Sequence, residues 1–166
     1  MTNQILKYLL QLPIYLLIQI CILNEVLFFS YINPYLYLII LIVMPYKTPK
    51  WFLLSYAFLL GFSIDLFSGS LGFHSTATIL IAFVKPFISK ITIPHNILGD
   101  SDEITLKKVG PKSFITFSLF LILIHNSCLF MTEHLSFNLA LFGKILASSI
   151  ATLIIVLITQ LFQQDK

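Results

Sequence analysis

Six long apolar runs limit what this 166-residue chain can fold into. They cover residues 5–23, 34–44, 51–67, 71–84, 114–131 and 139–162. A helix needs about 20 apolar residues to cross a bilayer, and no run alternates as a membrane barrel strand does. The second and fourth runs are short, so we expect them to borrow neighbouring residues or to lie where the bilayer is thinned or replaced by protein. The pattern predicts an all-α integral membrane protein, a bundle of six transmembrane helices in the single domain 1–166.

The composition also indicates a lipid environment. Hydrophobic residues make up 58% of the chain and charged residues 10%, which is too little charge to coat a soluble domain of this size. The net charge of +3 rests on Lys alone, without Arg and without a basic stripe, so we expect no nucleic-acid partner. No signal-peptide cleavage site follows the N-terminal residues, so the first run is expected to stay as an anchor.

Lysine positions predict the orientation of the bundle. The connections after the odd-numbered runs, residues 24–33, 68–70 and 132–138, contain no Lys, whereas the other connections do. Lys144 is the exception, and it can reach the outer surface along its own alkyl stem. Because Lys and Arg accumulate on the cytoplasmic side, we expect both termini and the loop 86–112 to be cytoplasmic.

Small residues at helical spacing predict two packing stripes. One stripe consists of Ala57 and Gly61 with Asp65 in the same register; the other consists of Gly143, Ala147 and Ala151. In lipid, small residues let two helices approach closely. We interpret both stripes as helix-packing surfaces.

Ionisable residues at membrane depth gather near the predicted outer side. At about 1.5 Å per residue, Asp65 lies about 21 Å above Trp51 at the inner boundary. His74, His125 and Glu133 fall in the outer half or at its rim. Ionisable groups inside membranes mark functional sites or partner contacts. We therefore expect an outward-facing polar notch that docks a partner.

A purely structural interpretation competes with this one. Asp65 could cap the glycine-containing turn at 68–72 by accepting backbone N–H bonds, with His74 as a satisfied residue at the rim. The sequence alone does not separate the two interpretations.

The sequence shows no motif for catalysis or cofactor binding. It lacks G-x-S-x-G, a P-loop and paired carboxylates, so we expect no enzyme and no cofactor. A zinc cluster of His74, His125, His134 and Glu133 is conceivable by position, but no metal site is predicted. Cys21 and Cys128 fall inside apolar runs and are expected to act as small hydrophobic residues.

Ten residues in a fixed order carry a family resemblance within residues 33–88. They are Pro45, Trp51, Leu54, Phe58, Gly61, Asp65, Phe67, Gly72, His74 and Pro86. An apolar helix ending in Pro, a short basic loop and this order resemble the MreD family of bacterial rod shape-determining proteins. Residues 121–137, with His125 and Glu133, resemble the family's fifth helix. Lys85 and Asn126 depart from the pattern, where Arg and His are usual.

The resemblance implies a non-enzymatic scaffold in the bacterial inner membrane, within the elongation complex that controls cell shape and peptidoglycan synthesis. MreC would be the main partner, beside RodA and a class-B penicillin-binding transpeptidase, with MreB reached indirectly. The implied fold is similar to the six-helix substrate-binding subunits of energy-coupling-factor transporters. Carried onto this chain, Asp65, Gly72 and His74 would shape the outer end of the groove that receives MreC, with His125 and Glu133 beside them.

Three points stay open on the sequence. Lys107 and Lys108 are weak candidates for a cytoplasmic contact with MreB, the synthase or anionic lipid. A transporter subunit that holds a small ligand in an outward pocket is an alternative function, although no Ala or Gly precedes Ala57 to form the coupling surface of such subunits. A small channel or proton relay is a second alternative, which the one-sided distribution of ionisable residues disfavours.

Overall fold

A computed structural model describes residues 2–24, 32–70, 72–94, 97–99, 101–134 and 138–163. These residues form helices joined by turns and loops, so the prediction of an all-α fold is confirmed. The helices are α1 (Thr2–Ile18), continued by a π-helix (Gln19–Leu23), α2 (Leu38–Val43), α3 (Lys50–Ser68), α4 (Phe73–Thr92), α5 (Leu106–Val109), α6 (Pro111–His134) and α7 (Leu139–Gln163).

Five helical segments are long and apolar enough to cross a membrane. They are Leu6–Leu23, Lys50–Ser68, Phe73–Thr92, Pro111–His134 and Leu139–Gln163, and they match five of the six predicted runs. The remaining run, 34–44, contains only α2, whose six residues are all buried. At 1.5 Å per residue α2 is about 9 Å long, which is too short to cross a bilayer as a helix.

The segment 33–46 nevertheless passes through the bundle from one end to the other. At the end where α3 stops and α4 starts, which we call the Asp65 end, the Asn33 backbone N–H donates to Ser148 Oγ. At the opposite end, which we call the lysine end, the Tyr46 backbone N–H donates to the Asp102 carbonyl in the loop between α4 and α6. Residues 33–46 are therefore a buried segment with one short helix, which we call the crossing segment because it crosses the bundle.

Polar side chains of α7 and of the π-helix form hydrogen bonds with the non-helical backbone N–H and C=O groups of this segment. Thr152 Oγ1 accepts the Tyr35 N–H at 3.1 Å. Gln19 Oε1 accepts the Leu36 N–H at 2.9 Å, while Gln19 Nε2 donates to the Pro34 carbonyl at 3.1 Å. Irregular backbone at membrane depth requires such internal partners because lipid offers none.

Two helix boundaries differ from those expected. The fourth predicted run, 71–84, begins at a residue outside the described ones, and α4 continues through Pro86 to Thr92. The loop between α4 and α6 is thus shorter than 86–112, since α6 already begins at Pro111. Residues 86–92, which were expected to belong to this loop, form instead the last two turns of α4. Lys85 lies inside α4, and its buried ammonium donates to the Met44 carbonyl at 2.8 Å.

The loop at the lysine end docks onto the bundle. The Ile104 N–H donates to the Val43 carbonyl at 3.1 Å. Glu103 accepts from Lys7 Nζ and from the Tyr8 hydroxyl, both at 2.6 Å. The Leu106 N–H donates to Gln160 Oε1 at 3.2 Å. This loop therefore contacts both α1 and the last turns of α7. The N-terminus of α1 and the C-terminus of α7 thus lie at the same end of the bundle.

The small residues of α3 lie against α4. A Cβ on Gly61 would meet Thr78 Oγ1, the Ser75 Cα at 2.6 Å and the His74 carbonyl at 2.7 Å. Thr78 Oγ1 also donates to the Ala57 carbonyl at 2.8 Å, so the two backbones are in close contact here.

In α7 the packing face differs from the expected stripe. Gly143 is exposed, and Ala147 and Ala151 are only half-buried. The residues that α7 buries include Ile145, Ser148, Ser149, Thr152 and Val156. The physical reason is the crossing segment 33–46, because its backbone needs the hydroxyl groups of α7 as partners. The polar face, not the small-residue face, therefore points inward.

Candidate partner-binding site at the Asp65 end

The Asp65 carboxylate fastens α3 to α4. One oxygen accepts from Ser70 Oγ at 2.5 Å and from the His74 N–H at 3.0 Å. The other accepts from the Ser75 N–H at 2.9 Å and from Ser75 Oγ at 2.5 Å. The carboxylate thus satisfies N–H groups at the start of α4 that have no partner within the helix, and negative charge is favoured at that position.

Glycines shape the turn that brings these groups together. Gly69 ends α3 with φ +65°, and Gly72 precedes α4 with φ +87°. Both φ angles lie in the left-handed region, which residues with a Cβ rarely adopt. The structural interpretation of Asp65 as the residue that caps this turn matches the geometry, and the predicted site residue Gly72 contributes its backbone conformation.

A buried chain of hydrogen bonds connects four parts of the fold behind this turn. The Tyr37 hydroxyl lies 2.9 Å from His74 Nδ1 and 2.9 Å from His125 Nε2. His125 Nδ1 lies 3.0 Å from Asn126 Oδ1, and Asn126 Nδ2 donates to Ser149 Oγ at 2.9 Å. The chain runs from α4 through the crossing segment to α6 and α7. It brings together the two predicted site residues His74 and His125.

The partners fix the direction of this chain when both imidazoles are neutral. Because Asn126 Nδ2 donates to Ser149, its Oδ1 must accept from His125 Nδ1–H. His125 Nε2 then accepts the Tyr37 hydroxyl proton, and the Tyr37 oxygen accepts from His74 Nδ1–H. His74 Nε2 is left as a hydrogen-bond acceptor.

A pocket of about 150 Å³ lies beside His74 at this end. Its polar lining residues are Asn24, Asn33, Ser68, Ser70, His74 and Glu133. The Asn33 Oδ1 is buried, and no described residue donates to it. Buried amide oxygens are normally hydrogen-bonded, so the Asn33 Oδ1 stands out as an unsatisfied acceptor among the described residues beside the pocket.

Glu133 and its neighbours form the exposed rim of the pocket. Lys144 Nζ lies 4.0 Å from Glu133 Oε2 and 3.1 Å from His134 Nε2. The Lys144 ammonium also sits 4.5 Å from the centre of the Phe130 ring. Glu133 thus keeps an accessible carboxylate, while His134 faces Lys144 and does not join His74 and His125 in a metal cluster.

The lysine end holds a separate polar cluster. The Lys108 ammonium donates to the Asp102 carboxylate at 2.6 Å and lowers the pKa of Asp102 below its ordinary value, as the Gly99 N–H also does. Lys107 is exposed. A cavity of about 290 Å³ lies nearby, between α1, α2, the loop and the end of α7. The two predicted contact lysines therefore differ, because Lys108 is paired and Lys107 has no ion pair with a described residue.

Sequence reasoning missed Tyr37 and Asn33, which contribute to the site from inside the crossing segment. Both lie in or next to a short apolar run that was expected to be a transmembrane helix. The available signal was the density of polar residues on the neighbouring helices, notably Asn126 and Ser149, because buried polar groups in lipid require partners.

These observations define a multi-pass, all-α membrane protein with a polar pocket at one end of its bundle. Comparison of the chain with known protein families, with curated proteins and with solved structures finds no match.

Proposed function

We propose that this chain is a non-enzymatic membrane scaffold of the MreD type, which binds MreC at the Asp65 end of its bundle. The single observation that carries the proposal is the pocket beside His74. Three side chains that can accept hydrogen bonds are among its lining residues: Asn33, His74 and Glu133. A partner segment that offers N–H or ammonium donors would satisfy them.

The engagement of the ionisable groups supports a scaffold. Asp65 uses both oxygens to hold α4, and His125 uses both ring nitrogens inside the buried chain. Groups held in this way position helices, which supports a structural role. The chain of bonds behind the pocket gives the docking surface a fixed shape, which favours binding because less order has to be created.

The size of the pocket favours the scaffold over the transporter alternative. Small-molecule sites occupy roughly 300–1,000 Å³, whereas the pocket at the Asp65 end measures about 150 Å³. It suits a side chain or a helix end better than a vitamin.

The proposed setting is the bacterial inner membrane, with both termini and the lysine end in the cytoplasm and the Asp65 end facing outward. The lysine distribution supports this orientation. MreC would then meet the pocket from the outer side, in the elongation complex with RodA and the class-B penicillin-binding transpeptidase. MreB would be reached indirectly, from the lysine end.

The first test is crosslinking of tagged protein in native membranes, followed by mild-detergent purification and mass spectrometry. We expect an MreC-like coiled-coil protein as the dominant partner, with yield reduced several-fold by Glu133→Gln. The control Lys107→Gln removes one exposed charge at the opposite end and should leave the yield unchanged. Recovery of ATP-binding-cassette ATPases or a retained vitamin, without the coiled-coil protein, would refute the scaffold function.

A further inference from the structure

An apolar groove of about 300 Å³ runs between α3 and α4 at the lysine end. Its apolar walls consist of Leu53 and Leu54 from α3 and of Ala82, Phe83, Pro86 and Phe87 from α4. Phe83 is 60% exposed and Phe87 58% exposed, with ring centres 6.2 Å apart. In a membrane this surface faces hydrocarbon, so the groove is open to an acyl chain.

Two lysines flank this groove at the same end of the two helices. Lys50 is the first residue of α3, and Lys90 lies in the last turn of α4. Both are exposed, and neither makes an ion pair with a described residue. None of the described residues that line the groove is acidic. The groove therefore combines an apolar floor with unbalanced positive charge at its mouth.

The surroundings place this mouth at the membrane surface. Trp51, next to Lys50, is 67% exposed. Exposed Trp residues concentrate at the boundary between hydrocarbon and headgroups, and Lys side chains extend from there toward water. An anionic phosphate at that level would meet both ammonium groups.

We infer that this groove binds one phospholipid with an anionic headgroup, with an acyl chain between Phe83, Phe87 and Leu54 and the phosphate between Lys50 and Lys90. The occupant is a lipid and not a partner helix, because the groove joins apolar side chains to two lysines whose charge complements a phosphate. The inference concerns a different surface from the MreC pocket and does not depend on it.

The test is native mass spectrometry of the full-length protein titrated with phosphatidylglycerol or with phosphatidylcholine of the same acyl chains. We expect phosphatidylglycerol to bind more tightly. Each Lys near a membrane surface contributes about fivefold to the affinity for anionic lipid, so Lys50→Gln with Lys90→Gln should weaken phosphatidylglycerol binding about 25-fold and leave phosphatidylcholine nearly unchanged. The matched control, Lys107→Gln with Lys112→Gln, removes two exposed charges from the same end outside the groove.

A second measurement locates the lipid without any substitution. Phosphatidylglycerol with a photoreactive group in its acyl chain should label peptides of α3 and α4 that contain Leu54, Phe83 or Phe87. Equal loss of binding in the groove variant and the control would show nonspecific surface attraction and overturn the inference. Labelling confined to other helices, or equal affinity for the two lipids, would overturn it as well.

Discussion

At the scale of single residues, Asp65 shows how a charge is accommodated inside an apolar bundle. The side chain is 4% exposed, and each oxygen accepts one hydroxyl and one backbone N–H. Four donors compensate the loss of hydration that would otherwise make a buried carboxylate very costly. They also connect the end of α3 to the start of α4, so one residue sets the geometry of the turn beside the pocket.

Replacing this carboxylate tests its structural role. Asp65→Asn keeps the size of the side chain but replaces one carboxylate oxygen by an NH2 group. The two groups that donated to that oxygen then lose their acceptor and face another donor. Because hydrogen bonds to charged groups contribute 1.5–3 kcal/mol each, we expect the variant to lose about 3 kcal/mol of stability. Thermal unfolding of the purified protein, followed by circular dichroism, measures the change.

The matched control is Asp102→Asn, which makes the same substitution at an exposed carboxylate that is paired with Lys108. It should leave the unfolding midpoint close to that of the unmodified protein. Equal midpoints for Asp65→Asn and the unmodified protein would contradict the structural role.

At the scale of elements, the crossing segment 33–46 explains the polar residues of the surrounding helices. Gln19, Ser148 and Thr152 each bond to backbone atoms of this segment. In the sequence these residues look like ordinary polar residues in transmembrane helices. The structure shows that they replace the hydrogen bonds that a regular helix would make for itself.

Thr152→Val tests this explanation, because it removes the hydroxyl and keeps the shape. The Tyr35 N–H would then be buried without an acceptor, and leaving a buried donor unpaired costs about 2 kcal/mol. We expect a clear drop in the thermal midpoint and faster hydrogen exchange at residues 33–37.

Thr159→Val provides the control on the same helix. The Thr159 hydroxyl donates only to the carbonyls of Ile155 and Val156 within α7. Its loss leaves no buried N–H without a partner, so the midpoint should change little. A larger loss at Thr159 than at Thr152 would refute the proposed dependence of the crossing segment on α7.

At the scale of the whole molecule, the sequence predicted the helical class and the five long apolar helices, because long apolar runs leave few alternatives in lipid. It did not predict the path of residues 34–44, since an apolar run of that length is equally compatible with a short helix inside a bundle. Nor did it predict the link from His74 through Tyr37 to His125, because that link joins three distant parts of the chain. Such long-range hydrogen bonds depend on how the helices pack, whereas the positions of the long apolar helices follow from local composition.

The crossing segment also determines the membrane topology of the whole chain. Five membrane-spanning helices alone would put the two termini on opposite sides of the membrane, whereas we expect residues 33–46 to add a sixth crossing that returns the termini to the same side. Alkaline phosphatase, which is active only after export, should therefore be inactive when fused after Gln163 and active when fused after His134. A green fluorescent protein fused to the N-terminus should fluoresce, which would place that terminus in the cytoplasm together with the C-terminus. Phosphatase activity after Gln163 combined with N-terminal fluorescence would mean that residues 33–46 do not cross.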